Sequence, residues 1–204
     1  MAQEMCLFLR VFKNNLVIMI KGDSTEYNLL EQWTKDFDCQ GFMTAEIGVR
    51  EGLGSKIMLD NLKNIYLHVG IDPYGNLKYQ HYDDTGSYTC DYTDTMRDKL
   101  LEDMAVYKGK FRLYNDTDTN FMNDHDFVES KFTFVHFDGP HMTKDVLTES
   151  IWFANRTGPK TRFVFDDFPK YNMQLIRDCL KPFGFDIMDQ GKNKICLEKQ
   201  RLVM

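Results

Sequence analysis

The sequence predicts an α/β fold: a mostly parallel sheet with helices on both faces and a C-terminal antiparallel hairpin. Three observations predict it. Short apolar runs such as Phe42–Val49, Ile65–Asp72 and Phe132–Asp138 alternate with stretches of helical periodicity. Strands separated by helices favour parallel pairing with both faces covered. Near the end, FDIMDQ and KNKICLEK flank Gly191 as two strand-like segments with no helix between them.

The elements follow in order. VFKNNLVIMI reads as a strand or part of a hairpin, and YNLLEQWTKDF (27–37) as a helix capped by Ser24 or Thr25. FMTAEIGV (42–49) is a strand running through REGLGS into a helix at KIMLDNLKN. IYLHVGID (65–72) is a second strand, stopped by Pro73 and Gly75. The polar, tyrosine-rich stretch up to Tyr92 is long for a connection and reads as an insertion covering a pocket. TDTMRDKLLEDMAVYKGK is an amphipathic helix with Met96, Leu100, Leu101 and Met104 on one face and Gly109 as its stop. KFRLYND is a third strand and DTDTNFMNDHDFVES an acidic loop. FTFVHFD is the fourth strand, TKDVLTESIWFANRT a helix ended by Gly158 and Pro159, TRFVFDDF the fifth strand, and YNMQLIRDCLK the next helix.

Composition narrows the function classes. The 204 residues are 43% hydrophobic and 27% charged, the profile of one globular domain (1–204), with residues 1–40 as an extension placed to cover a substrate pocket. The net charge of −6 disfavours a nucleic-acid partner, which needs the opposite balance. LVIMI (16–20) is too short to span a bilayer, and the N-terminus lacks a signal-peptide pattern, so a cytoplasmic protein without membrane association is expected. The five scattered cysteines have no metal-ligand spacing and fit reduced thiols.

Candidate chemistry gathers at strand ends. AEIGVREGLGS carries Glu46, Gly48, Gly52, Gly54 and Ser55 between a strand and a helix. Glycines there let a ligand approach the backbone, and the helix start offers free amides. Arg50 stands where a dinucleotide fingerprint needs its second glycine, so the loop is nucleotide-like but not of the NAD type. Asp72, 26 residues after Glu46, is placed to accept ribose hydroxyls. Asp138 ends the fourth strand, and Asp166 and Asp167 end the fifth. If these strands are neighbours, the three acids converge, and a divalent cation such as Mg2+ would relieve their repulsion.

The ordered set E-I-G-V-x-x-G, G-I-D-P-Y-G, F-x-D-G-x-H and F-D-D-F resembles the class I S-adenosylmethionine-dependent methyltransferases, which are Rossmann-like. The nearest subgroup by this resemblance is the metal-dependent O-methyltransferases of macrocin-like and catechol type, over about Phe42 to Lys199. The resemblance implies S-adenosylmethionine held by Glu46, Gly48, Gly52, Ser55, Asp72 and Asp138, and a divalent metal on Asp138, Asp166 and Asp167. It implies methyl transfer to a hydroxyl of a small acceptor such as a sugar. A metal-independent methyltransferase and an inactive cofactor-binding or assembly domain are the alternatives, and a homo-oligomer is open. Macrocin-like relatives keep an acid where Pro140 stands. Catechol-type relatives keep a lysine at the place of His141, which becomes the candidate base beside Asp138. His136 and His68 read as packed residues, and Phe121 or Met122 as a wall for the adenine.

Overall fold

Runs of β-branched and aromatic residues build the sheet, and the polar, glycine-containing segments between them turn the chain. The computed structural model describes residues 20–199, apart from 21, 23, 36, 76, 90 and 125–130. Residues 11–19 of the expected strand VFKNNLVIMI, and Cys6, Cys90 and His125, lie outside the described residues. The elements run α1 (Tyr27–Thr34), β1 (Met43–Ile47), α2 (Leu53–Asn61), β2 (Leu67–Ile71), β3 (Lys78–Gln80), β4 (Ser87–Thr89), α3 (Asp94–Met104), β5 (Phe111–Tyr114), α4 (Asp118–Asp124), β6 (Phe132–Phe137), α5 (Thr143–Ala154), β7 (Thr157–Phe165), α6 (Met173–Leu180), β8 (Phe185–Gln190) and β9 (Ile195–Lys199).

The main sheet has seven strands in the order β5-β2-β1-β6-β7-β9-β8. β5, β2, β1, β6 and β7 are parallel; β9 is antiparallel to both β7 and β8. This is the expected architecture, and the order reverses between β1 and β6. Every residue of β1, β2 and β6 is buried, because both faces of the sheet are covered. On one face, Phe121 of α4, Val146 and Phe153 of α5 and Ile176 of α6 pack on Ala45, Ile47, Val135 and Phe137. On the other, Leu30 and Trp33 of α1, Met58 of α2 and Leu100 and Met104 of α3 pack around Phe134, Val164 and Cys196. No helix among the described residues is long and apolar enough to cross a membrane. Cys39, Cys179 and Cys196 are free thiols.

Four local expectations are corrected. α1 has no side-chain cap from Ser24 or Thr25; Glu26 precedes it in the left-handed region. Its carboxylate instead accepts the backbone amides of Lys192, Asn193 and Lys194 at 2.8–2.9 Å, at the tip of the β8–β9 hairpin. α2 starts at Leu53, earlier than KIMLDNLKN suggests, so Ser55 lies in its buried first turn. The stretch expected to be an acidic loop contains α4, anchored by the fully buried Phe121. Gly158 and Pro159 do not end a helix: α5 stops at Ala154, and both residues belong to β7. Gly158 is needed there because a Cβ would come 2.6 Å from Thr133 Cγ2.

Candidate functional site

Parallel pairing carries the ladder one residue beyond each strand. The amide of Asp72 donates to Tyr114 O (3.1 Å), Gly48 to Ile71 O (2.9 Å), Asp138 to Ile47 O (2.8 Å) and Asp166 to Phe137 O (2.9 Å). Asp72, Gly48, Asp138 and Asp166 therefore stand side by side, in sheet order, on the carboxyl edge. They straddle the switch point, where open α/β sheets bind ligands.

Two adjoining cavities open on this edge. One, of about 260 Å³, is lined by Ile47, Gly48, Ile71, Asp72, Asp118 and Pro140, among others. The other, of about 660 Å³, is lined by Ser24, Arg50, Tyr82, His141, Asp166 and Asp167, among others. Tyr79, His81, Tyr92 and Asp138 belong to both. The insertion before Tyr92 is the β3–β4 hairpin, and Tyr79, His81, Tyr82 and Ser87 place it against both cavities, as expected for a pocket cover.

The glycine loop is shaped from below. Gly48 has φ +80°, and a Cβ on it would overlap the Asp138 carbonyl oxygen. Only a glycine lets β1 and β6 approach this closely beside a cavity floor. Asp72 is buried, and its Oδ2 accepts the amides of Val49 and Arg50, both at 2.8 Å. Its observed work is thus to hold the loop. Gly52, at φ +91°, packs against Leu100 and Met104 of α3 and does not line either cavity.

Glu46 and Ser55 are likewise not among the cavity walls. Both are buried on the face covered by α1 to α3. Ser55 Oγ donates to Glu46 Oε2 (2.5 Å) and contacts His68 Nε2 (3.0 Å), whose Nδ1 meets Thr44 Oγ1 (2.8 Å). Burial lowers the His68 pKa to about 4, so it sits neutral in this chain. Glu46 Oε1 pairs with His136 Nδ1 at 2.8 Å. His68 and His136 are packed, as expected, but each is a member of a connected polar network. Gly54 has no room for a side chain, because a Cβ would overlap Glu46 Oε1. A serine at that position would displace Glu46 from His136.

The three acids are brought together, but not as a cation site. Asp166 is buried; its Oδ1 lies 2.7 Å from Lys194 Nζ, and its Oδ2 accepts from Ser24 Oγ. Asp138 stands beside it, with its Oδ2 3.9 Å from His136 Nε2. Burial opposes the charge on Asp166, but Lys194, Asp138 and His136 outweigh it and hold its pKa below the usual range. Asp167 has φ +49°, accepts from Tyr82 Oη (3.0 Å), and has its pKa raised by burial and by Asp166. Mg2+ and Ca2+ need several open oxygens converging on one point. Here Asp166 Oδ2 and Asp167 Oδ2 accept from Ser24 and Tyr82, and Asp166 Oδ1 faces the Lys194 ammonium. Among the described residues, no three His, Cys, Asp or Glu side chains are grouped to hold a metal. The donor set does not fit the expected divalent cation.

His141 is at the polar cavity and buried, with its ring nearly parallel to those of Tyr82 (5.7 Å, 14°) and Tyr171 (6.0 Å, 4°). Its Nδ1 meets His81 Nε2 at 3.2 Å, and its Nε2 lies 4.0 Å from Asp138 Oδ1 with no hydrogen-bond partner. Burial, and then His81, lower its pKa to about 3, so the ring is neutral near pH 7. Phe121 does not form a cavity wall; it is fully buried between Tyr114 and Trp152, and Thr117 and Asp118 line the apolar cavity instead. Ser24, Arg50, His81, Tyr82 and Lys194 line or support the site, and none of them is marked as a site residue by the sequence. Arg50 carried a signal, since it replaces a glycine in a glycine loop and keeps a positive φ of 48°.

No family model matches the chain, and no curated protein matches it. Solved structures do. The O-methyltransferase TomG of Streptomyces achromogenes, in complex with S-adenosylmethionine, superimposes with a TM-score of 0.59 at 13% identity, over 88% of this chain and 81% of that one. The ribosomal protein L11 methylase of Lactobacillus delbrueckii gives 0.57 at 13% identity, over 95% and 90%. An O-methyltransferase of Bacillus cereus, in complex with S-adenosylhomocysteine, gives 0.56 at 11% identity, over 86% and 81%. At these identities the likeness is one of fold: the chain has the Rossmann-like sheet of the S-adenosylmethionine-dependent methyltransferases.

Proposed function

We propose that the chain is an S-adenosylmethionine-dependent methyltransferase that methylates an oxygen of an acceptor bound in the polar cavity. The observation that carries this reading is the pair of adjoining cavities on the carboxyl edge, meeting at Asp138. The apolar cavity, floored by the Gly48 backbone and rimmed by Asp72 and Asp118, fits a nucleoside-bearing cofactor. Bound there, S-adenosylmethionine would supply an electrophilic methyl group on a sulfonium.

The chain's own residues then align and deprotonate. Asp138 stands at the junction of the cavities, where an acceptor hydroxyl would face the methyl group; alignment of this kind accounts for much of the rate of a direct displacement. With the cofactor bound, the acceptor hydroxyl would be held for attack on the methyl group, the cofactor would leave as its neutral thioether, and His141 Nε2 would take the hydroxyl proton. Its low pKa makes the ring a weak base by itself, so the Asp138 carboxyl group, 4.0 Å from Nε2, has to stabilise the imidazolium as the proton arrives. Pro140 removes the acid of macrocin-like relatives, so this duty falls on His141 with Asp138. No step passes through a divalent metal. The fold leaves the acceptor open, since structures named for small-molecule and for ribosomal-protein methylation share it. Hydroxylated small molecules remain our choice, because the net charge of −6 opposes a phosphate backbone. The free thiols suit a reducing cytoplasm.

Calorimetry with S-adenosylmethionine is the direct test: one-site binding is expected, and no binding would reject the reading. Asp72→Ala should lose most of that affinity, because the amides of Val49 and Arg50 lose their anchor. His141→Gln should lower turnover by about 10²–10⁴-fold while cofactor binding is kept. Wild-type kcat/KM should show no inflection near the ordinary histidine pKa from this ring, since His141 already sits neutral there. An inflection near pH 6.5 that disappears in His141→Gln would contradict the burial argument.

A further inference from the structure

We propose that Lys194 is a built-in cation occupying the place of a divalent metal in the acidic corner of the site. The argument starts from register. β7 and β9 are antiparallel, with Phe165 opposite Ile195, so the next position on each strand sets Asp166 beside Lys194. Lys194 has no solvent exposure. An ammonium has three protons to donate and no acceptor. Lys194 Nζ donates to Ser24 Oγ at 2.8 Å and His136 Nε2 at 3.4 Å and forms an ion pair with Asp166 Oδ1 at 2.7 Å, with the Tyr27 ring centroid 5.3 Å away. Its backbone is fixed as well, because the Glu26 carboxylate accepts the amides of residues 192 to 194.

The single charge thus sits where strand-end acids meet, and it reaches both sides of the site. Through His136, whose Nε2 lies 3.9 Å from Asp138 Oδ2, it reaches Asp138 at the junction of the cavities. Through His136 it reaches Glu46, under the glycine loop. A metal would need the same Asp166 oxygens and would meet the ammonium's repulsion. Lys194 is a positioning residue: it holds Asp138 and Asp166 in place without touching the acceptor. That catalytic meaning rests on the methyl-transfer reading, whereas the occupancy of the corner does not, so the two fail separately.

Electron paramagnetic resonance of Mn2+ tests it on the full chain without cofactor. Wild type should leave the free Mn2+ signal intact. Lys194→Ala, which vacates the ammonium and leaves Asp138, Asp166 and Ser24, should bind one equivalent, and Lys194→Ala/Asp166→Asn should lose it again. A wild-type Mn2+ site abolished by Asp166→Asn would overturn the proposal, as would a folded Lys194→Ala that takes up no Mn2+. Should Lys194→Ala fail to fold, the double variant decides: recovery of folding on neutralising Asp166 supports the charge assignment, and none overturns it. Lys194→Arg, which keeps the charge, should remain without Mn2+; gaining a site would equally count against it.

Discussion

Gly48→Ala is expected to destabilise the protein sharply and to abolish S-adenosylmethionine binding. Two costs combine at this residue. Its φ of +80° is left-handed, which costs an L-residue with a Cβ roughly 1–2 kcal/mol. The added methyl would also overlap the Asp138 carbonyl oxygen, with Gly139 N at 2.8 Å. Those are backbone atoms of the neighbouring strand end and cannot rotate away, so the overpacking cost of about 1–3 kcal/mol is drawn in full. Relief requires β1 and β6 to part at the point where their ends floor the cavity. Gly41→Ala is the matched control: its φ is +77°, but nothing lies within 4 Å of the added Cβ. Thermal melts and calorimetry should show Gly41→Ala only mildly weaker and still binding, and Gly48→Ala much weaker and not binding. Equal behaviour of the two would mean that strand approach does not shape the cleft.

The second large effect is expected at Lys194→Met, where removing one member of a buried pair should cost about 3–5 kcal/mol near neutral pH. Methionine fills much of the volume, so the loss reports charge more than cavity. The pH dependence carries the sign. In wild type the Asp166 pKa is depressed in the folded state, chiefly by Lys194 against the opposing effect of burial. Its contribution to stability is therefore present above the unfolded-state pKa, about 3.9, and disappears only as pH falls through the lower folded value. In Lys194→Met burial prevails, and the folded pKa of Asp166 rises above the unfolded one. The variant then loses stability as pH rises through that range. Urea melts should show the gap between the two proteins widening from about pH 4 upward. A gap independent of pH would mean that packing, not charge, is what Lys194 supplies.

How legible the protein was differs between its framework and its site. The strands β1, β2 and β6, and the end of β7, stood out because burial on both faces leaves an apolar run that needs no knowledge of neighbours. Asp72, Asp138 and Asp166 were visible as the first polar residues after such runs, and parallel pairing then aligned them on one edge. α4 was missed because DTNFMND is mostly polar, and Phe121, with Met122 beside it, docks the helix on the core. The surroundings of the acids were illegible for a related reason. Three carboxylates at strand ends look uncompensated when only local sequence is read, and a metal is then the natural remedy. The compensating charge lies 28 positions after Asp166, in a KNK tip that reads as an exposed turn.

Ser55 and Glu46 repeat the point: a loop pattern placed them near a ligand, whereas the phase of α2 turned Ser55 inward onto Glu46. Periodicity records which face of an element is buried, since each residue's transfer from water is settled by its own element. A charge partner depends instead on register between elements distant in the chain. That is why the sheet, its direction and its functional edge could be read from the residues, and why the cation at that edge became visible only when β9 was laid against β7.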